Sequence, residues 1–159
     1  MSEFVIREAV EADVPAILEL IRGLAEYERA PDQVKCTEEI LRESLFGNKP
    51  DAEVLLACNG SETAGFAVFF HNYSTWWGRR GIYLEDLFVK PAMRGKGIGK
   101  ALLVELARIA RDRGCARMEW SVLDWNQPAI DFYRSLGATA KDEWTVYRLD
   151  RHAIEKLAG

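Results

Sequence analysis

From Arg80 to Lys100 the chain reads Arg-Gly-Ile-Tyr-Leu-Glu-Asp-Leu-Phe-Val-Lys-Pro-Ala-Met-Arg-Gly-Lys-Gly-Ile-Gly-Lys, an apolar strand running into a glycine-rich turn that opens a helix. That order builds an anion site. Gly95, Gly97 and Gly99 let backbone N–H groups approach a phosphate without Cβ obstruction, and the helix behind them presents its positive end. Lys90, Arg94, Lys96 and Lys100 add four cations with no acid among them. A nucleoside-triphosphate loop is excluded: it would need glycine at 94 and a hydroxyl at 101, where the chain has Arg94 and Ala101. A dinucleotide fingerprint fails at Lys100 or Leu102, where its third glycine would fall.

What fits is Arg-x-x-Gly-x-Gly at Arg94, Gly97 and Gly99, followed downstream by Asn126-Gln-Pro-Ala129-Ile-Asp-Phe132-Tyr133-Arg-Ser-Leu-Gly137-Ala138. In order and separation these two motifs resemble those of the GNAT (GCN5-related N-acetyltransferase) superfamily. Phe4 to Arg7, Leu24 to Glu28, Tyr83 to Asp86 and Trp125-Asn126 are similar to its diamine (spermidine/spermine) and thialysine acetyltransferase branch.

The resemblance implies an α/β GNAT fold, with a mixed, mostly antiparallel sheet of roughly six or seven strands flanked by about four helices. It implies a single domain over residues 1–159. The implied reaction is direct attack of a primary amine on acetyl-CoA in a ternary complex, with a small polyamine, diamine or lysine-like acceptor. Protein or aminoglycoside acetylation and a non-catalytic CoA-binding regulatory module stay open as alternatives.

Such chemistry needs a neutral amine, and a primary amine of pKa near ~10.4 is mostly protonated at neutral pH. By resemblance Glu85 is the base, directly or through a water, and Tyr133 the acid that returns a proton to the leaving thiolate. Phenol, with pKa near ~10, can protonate a thiolate whose thiol has pKa near ~8.5. Asn126 and Tyr133 stand two helical turns apart and so share a face. The coenzyme-binding set is then Leu87, Phe88 and Val89 as backbone donors, Arg94, Gly95, Lys96, Gly97, Ile98, Gly99 and Lys100 in the turn, and Asn126, Ala129 and Tyr133. Tyr27, Glu28, Glu85 and Asp86 are the amine-binding candidates, with Asp142 or Glu143 weaker ones. A regular strand would point Glu85 and Asp86 to opposite faces, whereas a bulge would change that. Trp76 and Trp77 suit either a cation–π contact with the amine or hairpin packing.

A chain of 159 residues, 48% hydrophobic, is long enough to bury one core. Residues 1–63 hold 14 acids and 6 bases and residues 64–159 hold 11 acids and 15 bases, which sums to the net charge of −4. The acidic part suits a cationic amine and the basic part suits CoA, although solvated helix faces give a similar imbalance. Net acidity argues against a nucleic-acid partner. The apolar stretches are too short to span a bilayer, so no membrane partner and a cytoplasmic location are expected. Cys36, Cys58 and Cys115 lack C-x-x-C spacing, and His71 and His152 sit near none of them, so no metal and no disulfide is expected. Relatives in the diamine branch pair, so a homodimer is expected.

Elements that position these residues read as follows. Phe4 to Ala9 alternates as a strand; Val14 to Ala25 repeats at helical spacing behind Asp13 as N-cap; Thr37 caps a helix to Phe46. Residues 52–58, 63–72 and 80–89 are strands, the first pair joined at Asn59-Gly60. Ile98, Leu102, Leu103, Leu106 and Ala110 stripe a helix stopped at Gly114. Ala116 to Val122 is a strand, Asn126 or Gln127 to Leu136 a helix ended by Gly137, Trp144 to Leu149 a last strand, and a short helix follows.

Overall fold

The structure is a computed structural model and describes residues 3–159. Its contacts divide the chain into two compact units, one ending at Ser121 and one from Val122 to Gly159. In the first unit, β1 (Val5–Glu8), β2 (Glu53–Asn59), β3 (Glu62–Ser74), β4 (Arg79–Val89) and β5 (Met118–Trp120) form one sheet in the order β1-β2-β3-β4-β5. All neighbours are antiparallel except β4 and β5.

Helices α1 (Val14–Tyr27), α2 (Glu38–Phe46) and α3 (Ile98–Asp112) belong to the same unit. Each follows its apolar stripe. Val14, Ile17, Leu18, Leu20 and Leu24 of α1 join Val54, Leu56, Phe66 and Phe88 in a buried cluster, and the five α3 residues expected from spacing are all buried. Thr37 Oγ1 accepts the Ile40 N–H (3.2 Å) and caps α2 as expected. Asp13 acts differently from expectation. Its carboxylate accepts the Val10 N–H (2.7 Å) and pairs bidentately with Arg7 (2.8 Å twice), so it caps the preceding 3-10 turn rather than α1. Asn59 and Gly60 make the β2–β3 turn, with Gly60 at φ +62.

The second unit holds α4 (Gln127–Ser135) and α5 (Arg151–Ala158). Asn126 Oδ1 accepts the Ala129 N–H (3.4 Å) at the start of α4, and Gly137, at φ +89, lies past its end. The expected strand over Trp144–Leu149 is absent: the segment joins no ladder among the described residues. Its Trp-x-Val-Tyr-x-Leu pattern has strand character, yet Val146 is 82% and Tyr147 93% exposed, and no described strand pairs with it. The expected strand over Ala116–Val122 shortens to β5. Among the described residues the sheet thus has five strands, accompanied by five α-helices.

Candidate active site

Strand β4 is where the candidate residues gather. In the β3–β4 register Val68 faces Asp86 and Phe69 faces Leu84, which leaves Glu85 as the extra residue of a β-bulge. The bulge reverses the alternation of the strand. Ahead of it, Ile82 donates its N–H to Arg117 O beside β5 (2.9 Å); past it, the Lys90 N–H bonds Ala64 O beside β3 (2.8 Å). Even-numbered N–H groups beyond the bulge therefore face β3, and those of Leu87 and Val89 face the other edge. Pairing with β5 stops at Leu84–Trp120, so that edge of Glu85–Val89 has no strand partner among the described residues. The alternation narrows the expected donor run: Leu87 and Val89 point outward, and the Phe88 N–H lies in the β3 ladder.

Side chains switch with the backbone. Phe88 joins the α1-side core with Phe66 and Val68, and Asp86, opposite Val68, shares that face. Glu85, the bulged residue, projects beside it. At the end of α1 stand Tyr27 and Glu28, where Arg29, at φ +63, takes the chain out of the helix.

Three carboxyls are thereby brought into electrostatic reach of one another. Burial first, then the charges of Glu85 and Glu28, push the Asp86 carboxyl up to about 6. Partial desolvation and then Glu85 also raise Glu28. The charge of Glu85 disfavours the ionised forms of Glu28 and Asp86, and a bound cation would relieve both. Asp86 is the inner member of the group, since Glu28 and Glu85 are solvent-exposed.

The glycine turn follows β4 through a 3-10 turn at Pro91–Met93. Gly95 and Gly97 lie at φ +80 and +78, a left-handed region that favours glycine, and no atom stands within 4 Å of where a Cβ would sit. Gly97 is the N-cap of α3 and offers no side chain to its first turn. The N–H groups of Ile98, Gly99 and Lys100 are thus the donors an anion meets. Lys96 and Lys100 are exposed beside them. Arg94 Nε donates to Val89 O (3.0 Å), and its guanidinium carbon lies 4.7 Å from the centre of the Tyr27 ring.

In the second unit, Asn126 is buried and caps α4, with Ala129 in the first turn. Tyr133 lies two turns on, its ring 5.7 Å from that of Phe132. Asp142 and Glu143 are exposed, and Glu143 pairs with Lys141 (3.1 Å). Trp76 and Trp77 stand 94% and 68% exposed at the tip of the β3–β4 hairpin, which rules out the hairpin-packing reading. Among the described residues no group of His, Cys, Asp and Glu is arranged to hold a metal. Cys58 is buried, Cys36 and Cys115 are half-buried, and all three are free.

Sequence reasoning missed the seam between β4 and α1. A Cβ on Gly23 would come within 2.9 Å of Phe88 Cε2, so that ring lies directly on the helix backbone. Lys90 Nζ reaches Glu19 at 3.4 Å. A glycine inside the apolar stripe of α1 was the available signal.

The thialysine N-epsilon-acetyltransferase of Sus scrofa is 45% identical over 170 residues, covering 100% of this chain and 99% of that protein. The Caenorhabditis elegans protein of that name is 36% identical, covering 99% of each. Among solved structures, an integron cassette protein from the mobile metagenome of V. cholerae superposes with a TM-score of 0.83 at 27% identity, covering 99% of both chains. A soil-metagenome aminoglycoside acetyltransferase shares the fold with a TM-score of 0.78 at 22% identity over 92% of this chain and 95% of its own. The family model for "Acetyltransferase (GNAT) family" matches residues 16–138, most of the chain and parts of both units, and the chain belongs to that family.

Proposed function

We propose that the chain transfers the acetyl group of acetyl-CoA to a primary amine of a small substrate carrying a second positive charge: a lysine-like amino acid, a diamine or a polyamine. The observation that carries this reading is the gathering of Glu28, Glu85 and Asp86 on one side of the sheet, around the bulge at Glu85. Three neighbouring carboxyls, two of them raised by the third, fit a dication better than a neutral or singly charged acceptor. The thialysine acetyltransferases to which the chain is similar favour a lysine-like amine within that class.

In this reading the pyrophosphate sits on the backbone of Gly95–Lys100, with Lys96 and Lys100 beside it, and Asn126 and Ala129 contribute along the pantetheine. Tyr27, Glu28 and Asp86 hold the amine. Glu85 takes a proton from it, directly or through a water, the nitrogen forms its bond to the acetyl carbon, and the C–S bond breaks. Leu87 and Val89 N–H groups stabilise the oxyanion, and the Tyr133 phenol returns a proton to the departing thiolate. The site is metal-free and works in a cytoplasmic homodimer, whose second copy covers the exposed apolar segment Trp144–Leu149. Light scattering should give about twice the 18.0 kDa chain mass.

Thiol release from acetyl-CoA across an amine panel tests the reading. Turnover is expected with thialysine, lysine, ornithine or spermidine, and none with a monoamine of similar length. Turnover only with an aminoglycoside or a peptide would replace the acceptor class. Coenzyme binding without turnover on any amine would make the chain a CoA-binding module.

A further inference from the structure

The coenzyme turn and the amine-facing end of α1 are joined through one side chain. Arg94 opens the Arg-x-x-Gly-x-Gly turn, yet its guanidinium carbon lies 4.7 Å from the centre of the Tyr27 ring and 5.6 Å from that of Phe88. Its Nε donates to Val89 O at 3.0 Å. That carbonyl shares the outward edge of β4 with the Leu87 and Val89 N–H groups, by the same alternation. The surrounding seam is firm: Phe88 rests on α1 at Gly23, and Lys90 pairs with Glu19. The arrangement suits arginine, because a guanidinium lies over a ring while its Nε donates, whereas an ammonium has no Nε–H fork to make both contacts at once.

From these contacts we infer that Arg94 is a positioning residue, coupling the acetyl-CoA turn to the Tyr27–Glu28 end of α1 instead of reaching the phosphate with its side chain. Stacking on Tyr27 orders the turn before the coenzyme arrives, and an occupied turn in return holds Tyr27 and Glu28 in place for the amine. Binding of each substrate therefore strengthens binding of the other, by the same factor in both directions. The inference rests on the acetyltransferase reading above, whose own failure shows in the unmodified chain.

Calorimetric titration of the full-length protein with CoA tests it, using thialysine as the amine probe and thermal unfolding to confirm that each variant is folded. Tyr27 lies outside the turn, yet Tyr27→Leu should weaken CoA binding roughly threefold to thirtyfold, and Tyr27→Phe, which keeps the ring face, should bind CoA within about twofold of the unmodified chain. Arg94→Lys, at an exposed position whose change spares the core, should lose a similar factor although the charge is kept. The double variant Tyr27→Leu/Arg94→Lys should be no weaker than the worse single one. Thialysine should tighten CoA binding in the unmodified chain and not in Arg94→Lys. Additive losses, or weakened CoA binding in Arg94→Lys with the thialysine effect intact, would overturn the coupling and make Arg94 a direct phosphate ligand. An unmodified chain that fails to bind CoA would overturn the acetyltransferase reading itself.

Discussion

Glu85 and Asp86, adjacent in sequence, project toward the same side of β4, because Glu85 is an extra residue inserted between the pairs Phe69–Leu84 and Val68–Asp86. One inserted residue therefore does two things. It collects carboxylates on the face that meets α1, and it turns the Leu87 and Val89 N–H groups to the edge where β5 has ended. An anionic pocket wall and an oxyanion donor pair arise from a single backbone irregularity.

Asp86 should cost stability at neutral pH. Its carboxyl is raised from 3.8 to about 6, so between those values the folded chain binds more protons than the unfolded one, and stability falls as pH rises through that window. Above pH 6 the full cost applies, roughly 3 kcal/mol at most. Asp86→Asn is expected to stabilise the protein at pH 7.5, with the gain fading by pH 4, while the KM for the amine rises tenfold or more. Urea unfolding at the two pH values, with amine kinetics, checks both; equal stability of the two chains at pH 7.5 would contradict the assignment.

Glu53 has the opposite sign. Arg113 donates to both of its oxygens (2.7 and 2.9 Å) and holds it below its usual 4.5, while Arg113 Nη1 also contacts His71 Nε2 at 2.9 Å. This pair adds stability above about pH 4.5, and the contribution disappears as acid protonates Glu53. Both side chains are part-exposed, so solvent screening keeps the effect near 1 kcal/mol at pH 7. Glu53→Gln should lower the melting temperature by a few degrees at pH 7 and have little effect near pH 3.

Gly99 separates a ligand effect from a folding effect. Its Cβ would meet Val89 Cγ2 at an ordinary 3.9 Å and its φ is not positive, so alanine there suits the helix. Gly97, at φ +78, would be strained by any side chain. Gly99→Ala is expected to leave melting unchanged or raised and to weaken CoA binding tenfold or more, because a methyl group lies where phosphate must approach the amides. Calorimetry on that variant would reject the phosphate turn if affinity were unchanged. Gly97→Ala should lose both stability and affinity.

Periodicity carried most of the fold. Apolar spacing located α1 and α3 with its buried stripe, the Thr37 cap located α2, and Asn59-Gly60 located a hairpin, because these signals are local. What escaped is non-local. Nothing in Tyr83-Leu-Glu-Asp-Leu specifies the bulge, which exists only as a mismatch with Val68–Phe69 on another strand. Trp144–Leu149 has strand propensity and no partner strand among the described residues, so propensity alone misleads. The motif located Arg94 in the turn, whereas its side chain follows Tyr27, sixty-seven positions earlier by subtraction of the residue numbers. The segments that carry the candidate residues were thus legible, and the directions of their side chains were not.

Tyr133 and Glu85 should be separable by pH. Tyr133→Phe keeps the ring that lies 5.7 Å from Phe132 and removes only the hydroxyl, so CoA affinity should change little while turnover falls roughly 10² to 10⁴-fold. That loss should persist from pH 6 to about 8, because below the thiol's ordinary pKa of ~8.5 the departing thiolate needs a proton whatever the state of the amine. Glu85→Gln should behave otherwise. The lost base matters most near neutral pH, where the amine is almost entirely protonated, and the rate should recover toward pH 10, where free amine forms unaided. Removing one carboxylate from beside Asp86 and Glu28 should also raise the amine KM, since both neighbours share the attraction for a cation. Steady-state kinetics of both variants from pH 6 to 10 distinguish the roles: a Glu85→Gln profile parallel to that of the unmodified enzyme would reduce Glu85 to an electrostatic binding residue, and full activity in Tyr133→Phe would assign the proton to another donor.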